Sequence, residues 1–480
     1  MRWSERGSED DRFHAAAGFI HLNPRIGSLI GSIPRPTIIR IGWATGSFGL
    51  IQLLRFANNV ILARLLSPPL FGLMMIVNSI RTGVELISDV GIKQNIVKNE
   101  AGHTPDFYDT AWTLKVLRGV ALGALFFLTS NLFASFFEQP QLAVIMPVIA
   151  ITFVFLGFQS TSSALLQKRK TIGVSTSAEV IVATISLMVH VSLALITPTI
   201  WALVLGSVFT SVAALIASYL TIPGTRHRFM INREAAREIF VFGKWIFLSS
   251  IIYFAAMNFD RLYFAKLISL TELGIYSIAR SLSDMLSNLV IRTTNMVLFP
   301  SVAAMRTTAP ELRARLLHAR RMVLALIAVG LGCFVATSDA VVNLLYDQRY
   351  ETAGVILPVL LLGVWLAILS VVNDSILLGM GKPAYTTTAN GMKLATIVVG
   401  VPIAFHYAGL IGAVVAVNVG EGVRYVTLWW FGRRAHLGFG RDDLALTILF
   451  LITIPFVREV LSLLGLTGDI ASLFPIAGLG

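Results

Sequence analysis

Residues 53–98 read LLRFANNVILARLLSPPLFGLMMIVNSIRTGVELISDVGIKQNIVK. Two apolar runs flank the turn around Ser67-Pro68-Pro69, and the first reaches back to residue 41. Each is long enough to cross a hydrocarbon core, which takes about 20 residues. The second run also carries Asn78, Arg81, Thr82, Glu85, Ser88 and Asp89. Steps of three and four place most of these on one helical face. An ionisable residue near the bilayer centre costs about 2.5–3.5 kcal/mol on insertion scales. Such a face cannot look at lipid, so it predicts a polar cleft between helices.

The pattern continues along the chain. Spans are expected at 41–62, 70–92, 112–134, 142–166, 178–197, 200–222, 240–265, 272–299, 322–345, 354–379, 386–406 and 409–430, with a thirteenth near 444–464 and a possible partial fourteenth before Gly480. Residues 1–40 read as a polar, Arg-containing tail. Hydrophobic residues make up 55% of the chain and charged residues 13%, against about 25% charged in soluble domains; the mean hydropathy of +0.76 agrees. Of 38 Lys and Arg, 27 fall in the tail and every second connection, three (Arg64, Lys266, Arg349) in the alternate connections, and eight inside spans. By the positive-inside rule the N-terminus is cytoplasmic and the first twelve spans begin and end there. The +12 net charge therefore orients helices and meets anionic headgroups, and nucleic acid is excluded as a partner.

A shift of 202 residues overlays Ala63-Arg64-Leu65-Leu66-Ser67 on Ala265-Lys266-Leu267-Ile268-Ser269, and Phe71-Gly72-Leu73 on Leu273-Gly274-Ile275. The chain thus reads as an all-α polytopic membrane protein of two six-helix bundles around a central cleft, with one or two further C-terminal helices. The first bundle covers 41–222, a basic linker 223–239, the second bundle 240–430, and a loop with the extra helices 431–480. Two related bundles around a cleft are the usual architecture of a secondary transporter. The same shift overlays the polar stripe of span 2 on a second stripe in span 8: Arg280, Asp284, Asn288, Arg292 and Asn295.

Other ionisable residues inside spans are Arg55, Asp260, Arg261, Asp374, Lys393, Glu421 and Arg424. Asp260 with Arg261, Arg81 with Glu85, Arg280 with Asp284 and Glu421 with Arg424 read as possible structural pairs, and Arg458 as an interfacial anchor beside Glu459. Seven of the eight cations inside spans are Arg. A guanidinium stays charged and grips phosphate bidentately, so an anion is the expected cargo. Cys333 is alone, which excludes an intramolecular disulfide, and neither HExxH nor GxxxxGK[ST] is present; no metal or cofactor is expected.

The A-R-x-L-S-P-x-x-F-G turn (Ala63, Arg64, Leu66, Ser67, Pro68, Phe71, Gly72), followed by Asp89-x-Gly91, resembles the polysaccharide-transporter (Wzx-type) flippases of the MOP superfamily. The echo at Asp260-Arg261 and Leu273–Tyr276 strengthens the likeness. The resemblance implies a flippase of the bacterial cytoplasmic membrane. It would carry an undecaprenyl-diphosphate-linked oligosaccharide to the outer leaflet for exopolysaccharide, capsule or O-antigen synthesis. Membrane lipids and polysaccharide polymerase or export machinery would be its partners. It implies pyrophosphate or glycan contacts at Arg55, Arg81, Arg261, Arg280, Arg292 and Arg424. Coupling would come from H+ or Na+ at Glu85, Asp89, Asp260, Asp284 or Glu421, or from the membrane potential.

Two other readings stay open. A small-molecule antiporter of the same fold predicts an acidic, aromatic-lined cleft, against which the arginines argue. A membrane-embedded polymerase or ligase would need a substantial outer loop, and the connections on the sparsely charged side are only about 3–8 residues long.

Overall fold

The structure is a computed structural model that describes residues 35–99, 102, 104–168, 172–221, 227–304, 308–465, 467, 468 and 473. Most of the expected tail, the start of the linker and the possible fourteenth helix lie outside the described residues. So does the side chain of Asn295. Among the described residues there is helix and turn but no strand.

The first group of helices is α1 (Arg35–Leu65), α2 (Pro68–Ile87), α3 (Ile92–Lys98), α4 (Pro105–Leu128), α5 (Ser130–Phe136), α6 (Leu142–Phe158), α7 (Ser162–Lys168), α8 (Ile172–Ile196) and α9 (Ile200–Leu220). The second is α10 (Arg233–Leu267), α11 (Leu270–Ala304), α12 (Ala309–Ala336), α13 (Ser338–Leu345), α14 (Glu351–Gly379), α15 (Pro383–Arg434) and α16 (Gly440–Leu463). α15 is two helices joined at a kink, where Ala408 and Gly409 leave helical geometry and Gly409 takes φ 56°. Eight helices among the described residues are long and apolar enough to cross a membrane, as a polytopic fold requires. α1, α10 and α11 have spanning length too, at 31, 35 and 35 residues.

Local chemistry sets several boundaries away from the sequence expectation. α2 begins with Pro68 at its first turn behind an extended Ser67, where a missing N–H costs nothing. It ends at Ile87, and Gly91 then takes the left-handed φ of 66° that starts α3. Asp89 therefore lies in a turn, with its carboxylate accepting from the Gly91 N–H at 2.9 Å. That bond is a physical reason for the Asp-x-Gly pattern. α4 starts at Pro105, so Lys115 and Arg118, read as loop charges, are helical. α10 starts inside the expected linker because Asn232 caps it, its side chain accepting from the N–H groups of Glu234 and Ala235.

In packing, α1 lies against α8, α8 against α9, α9 against α6, and α6 against α4. In the other half α11 packs on α14, α14 on α15, α15 on α10, and α12 on α16. α2 crosses over: its main neighbours are α11 and α10. The crossing of α2 and α11 is reciprocal. A Cβ on Gly72 would run into the Leu270 carbonyl, and a Cβ on Gly274 into the Pro68 carbonyl. Pro68 and Leu270 are themselves related by the 202-residue shift, so each repeat's glycine seats the other repeat's helix start. The shift-related cations behave alike. Arg64 donates to the carbonyls of Leu344 and Leu345 at 2.8 Å each, at the end of α13. Lys266 donates to the Phe136 carbonyl at 2.8 Å, at the end of α5. Each half thus straps a short helix of the other at the end of the molecule where basic residues are scarce.

Candidate functional site

Where α1, α2, α10 and α11 meet, they enclose a cleft of about 340 Å³. α1 contributes Gln52, Arg55 and Asn59; α2 contributes Asn78, Ser79 and Thr82; α10 contributes Arg261; α11 contributes Ser277, Arg280, Asp284 and Asn288. Asn78 and Thr82 of the first stripe thus face Arg280, Asp284 and Asn288 of the second, whereas Arg81, Glu85, Ser88, Asp89 and Arg292 are outside this lining. A third polar stripe, Gln52, Arg55 and Asn59 at steps of three and four, comes from α1.

The charges in the wall are held in an alternating network. Arg280 lies 3.2 Å from Asp284 and 3.6 Å from Asp260, and Arg261 pairs with Asp284. The partners expected for Asp260 and Arg261 are thus exchanged. Adjacent helical residues point about 100° apart and do not face each other, so each reaches across to α11 instead. Asp260 is only 3% exposed and accepts from the Tyr276 hydroxyl at 2.5 Å. This buried carboxylate sits behind Arg280 and fixes the guanidinium toward the cleft. Arg55 is exposed in the cleft wall and has no hydrogen-bond or ion-pair partner among the described residues. The lining carries three guanidinium groups, from Arg55, Arg261 and Arg280, against the single carboxylate of Asp284.

The remaining sequence candidates lie elsewhere. Arg81 and Glu85 form an i,i+4 pair at 3.0 Å, and neither lines the cleft although Arg81 lies between the lining residues Ser79 and Thr82. Asp89 lies 3.7 Å from Arg118, which also donates to Ser88. Arg424 does not reach the cleft. It is 6% exposed and is neutralised inside the second half by Asp374 at 3.5 Å and Glu421 at 3.9 Å. Lys393 takes the other side of Glu421 at 2.6 Å. Arg292, on α11 of the second half, reaches into a second hollow walled mostly by first-half helices, 3.5 Å from Glu179. Arg458 is no interfacial anchor: it is fully buried and bonds Asp339 at 2.7 Å through two nitrogens.

The described part of the linker, from His227 onward, is docked as well. His227 stacks between Tyr108 and Trp112, with ring centroids 4.9 Å from each, and its Nε2 lies 2.9 Å from the Ser160 hydroxyl. Burial pushes its imidazole down to about 4, with Asp109 opposing the shift and Lys115 adding to it.

The family described as polysaccharide biosynthesis protein matches residues 61–355. The lipopolysaccharide biosynthesis protein WzxC of Escherichia coli (strain K12) is 22% identical over 393 residues, 79% of this chain and 77% of its own length. The teichuronic acid biosynthesis protein TuaB of Bacillus subtilis (strain 168) is 22% identical over 300 residues. That match covers 62% of each chain. The succinoglycan biosynthesis transport protein ExoT of Rhizobium meliloti (strain 1021) is 21% identical over 67% of this chain and 65% of its own. In fold the chain is similar to the lipid II flippase MurJ in its inward closed conformation, with a TM-score of 0.73 at 13% identity over 89% of this chain and 93% of that one. It is also similar to an inward-facing multidrug resistance MATE transporter, with a TM-score of 0.65 at 14% identity over 85% and 98%. With the family matched over more than half of its length and the cleft in place, this chain belongs to the polysaccharide biosynthesis proteins, the Wzx-type polysaccharide transporters of the MOP superfamily.

Proposed function

We propose that the protein moves an oligosaccharide linked to undecaprenyl diphosphate from the cytoplasmic to the outer leaflet, with the diphosphate held by Arg55, Arg261 and Arg280. The excess of guanidinium over carboxylate in the cleft wall carries this reading. A diphosphate crossing bare hydrocarbon loses its hydration at a cost of many kcal/mol; fixed guanidiniums replace that hydration with bidentate hydrogen bonds. Arg55, without a partner among the described residues, makes the first contact. Arg261 and Arg280 then exchange part of their bonding to Asp284 for phosphate oxygens, while Asp260 keeps Arg280 in place. The relatives named for teichuronic acid, lipopolysaccharide and succinoglycan synthesis fit a cargo of this class.

The reciprocal contacts at Gly72 and Gly274 close the end where basic residues are scarce, so the cleft loads from the cytoplasmic side and the two halves part at this crossing to release the cargo outward. The carboxylates proposed for ion coupling each have a basic partner: Glu85 with Arg81, Asp89 with Arg118, Asp260 with Arg280, Asp284 with Arg261, and Glu421 with Lys393. That pairing favours the membrane potential as the drive over a bound H+ or Na+, since an inside-negative potential assists an outgoing anion by about 2.3 kcal/mol per charge per 100 mV. The test is complementation of a strain lacking this protein. Arg55→Ala, Arg261→Ala and Arg280→Ala are expected to insert in the membrane and to export no polymer. Lys at each site is expected to restore part of it, because a point charge cannot form the two-pronged contact. Normal polymer in all three Ala variants contradicts the assignment.

A further inference from the structure

A second hollow, about 350 Å³, lies between α1, α4, α7, α8 and α9 of the first half, with Arg292 of α11 reaching in from the second. This volume falls in the range of about 300–1,000 Å³ typical of small-molecule sites. Arg55, Lys115, Arg292 and one carboxylate, Glu179, line it, and hydroxyl and amide groups supply the rest of its polar wall. The cations are weakly engaged. The Lys115 ammonium donates to the Gln159 carbonyl at 2.9 Å. Arg292 meets Glu179 only at 3.5 Å, and its guanidinium lies over the Phe48 ring, 4.1 Å from the centroid. The Asn58 Oδ1 is buried and accepts from no donor among the described residues.

An apolar ligand would strand these groups without partners, and a cation would face three positive charges. A neutral sugar would satisfy the hydroxyls and amides but leave the cations solvated. A sugar bearing a carboxylate satisfies both sets through charge-assisted hydrogen bonds. Arg55 lines this hollow and the central cleft alike, so a ligand whose phosphate rests on Arg55 can extend its first sugars into the hollow. Resting on the flippase reading above, we propose that the hollow is a subsite for an acidic saccharide, the carboxylate-bearing part of the carrier-linked glycan, with Lys115 and Arg292 as the carboxylate's contacts.

The test measures flipping in proteoliposomes of two undecaprenyl-diphosphate disaccharides, one of neutral hexoses and one containing a hexuronic acid. Lys115→Gln and Arg292→Gln are each expected to slow the acidic carrier about tenfold, the scale of one lost hydrogen bond to a charged group, and to leave the neutral carrier unchanged. Equal losses on both carriers, or no loss on either, overturn the subsite. A second measurement does not depend on transport. In a Cys333→Ala, Ser163→Cys protein, a hexuronic-acid disaccharide in solution is expected to slow maleimide labelling of the new thiol in the hollow, and a neutral disaccharide is not. Absence of that protection overturns the subsite even where flipping is seen. Protection in a protein that moves neither carrier sustains the subsite and removes the flippase reading.

Discussion

The two halves share a 202-residue register, yet they fill their interiors in opposite ways. The first keeps a hollow of about 350 Å³ to which it contributes Arg55, Lys115 and one carboxylate, Glu179, with Arg292 of α11 added from the second half. The second has a smaller opening, about 240 Å³ beside Ser250, Tyr253 and Asn390, with no charged residue in its lining. Its charges are instead buried as pairs: Lys393 with Glu421 at 2.6 Å, Arg320 with Asp443 at 2.5 Å, and Arg458 with Asp339 at 2.7 Å. The hollow thus has cations to spare, whereas these buried charges of the second half are neutralised in pairs, two of them through α16, which the 202-residue repeat does not reach. The lesson is a division of labour. Unbalanced cations in an open wall can bind an anion, whereas balanced pairs in a core only hold helices together.

The largest effect expected from this contrast is in stability. Asp443 is 1% exposed, with the Arg320 guanidinium on one side and the Tyr425 hydroxyl at 3.0 Å on another. Asp443→Ala strands the Arg320 charge and is expected to cost about 3–5 kcal/mol, read as a large drop in unfolding temperature in detergent. Replacing both partners, as in Arg320→Met with Asp443→Leu, is expected to restore most of it. A mild Asp443→Ala would place the second half on the same footing as the first.

Next comes the crossing that joins the halves. Gly72→Ala and Gly274→Ala each push a methyl into a carbonyl of the opposite repeat. The expected cost is about 1–3 kcal/mol, similar for the two because the contact is reciprocal. A large effect at one glycine and none at the other would break the pseudo-symmetry.

A smaller effect follows pH. The imidazole of His227 is held near 4, below its ordinary 6.5, so the folded state binds fewer protons than the unfolded one. Its contribution is complete above about pH 6.5 and declines as pH falls from there toward 4. Unfolding temperatures at pH 7.5 and 5 are expected to lie closer together in His227→Gln than in the parent protein. An identical pH dependence in the two would remove His227 as the linker's anchor.

The smallest effect is expected at the hollow, where α11 of the second half meets α8 of the first. Arg292 and Glu179 are well exposed and 3.5 Å apart, a kind of pair worth about 0–1 kcal/mol. Arg292→Gln should leave the unfolding temperature nearly unchanged, in contrast with Asp443→Ala.

How much of this was legible in the sequence depends on the range of the interaction. The spans and the facing parts of the two stripes follow from local composition and a period of 3.6 residues. So do Arg81 with Glu85 and Arg280 with Asp284, which are one helical turn apart. The partners of Asp260, Arg261, Arg424 and Arg458 lie on other helices, and no spacing along the chain reveals them. Asp260 and Arg261 show the hazard directly, because chain neighbours of opposite charge look paired while the helix turns them apart. Lys115 hid in the count of basic residues around its connection, although α4 begins ten residues earlier at Pro105. The hollow was invisible for another reason. Ser, Thr and Asn are ordinary within spans, where each can bond a carbonyl one turn back, and only the packing of α1 against α8 turns them into a wall.

The account stands or falls on Arg55, the cleft cation whose loss strands no buried partner. In proteoliposomes loaded with an undecaprenyl-diphosphate oligosaccharide, Arg55→Ala is expected to keep the parent's unfolding temperature and lose flipping by tenfold or more, as about 1.5–3 kcal/mol of charged hydrogen bonding predicts. Flipping at the parent's rate by a folded Arg55→Ala protein would contradict the account.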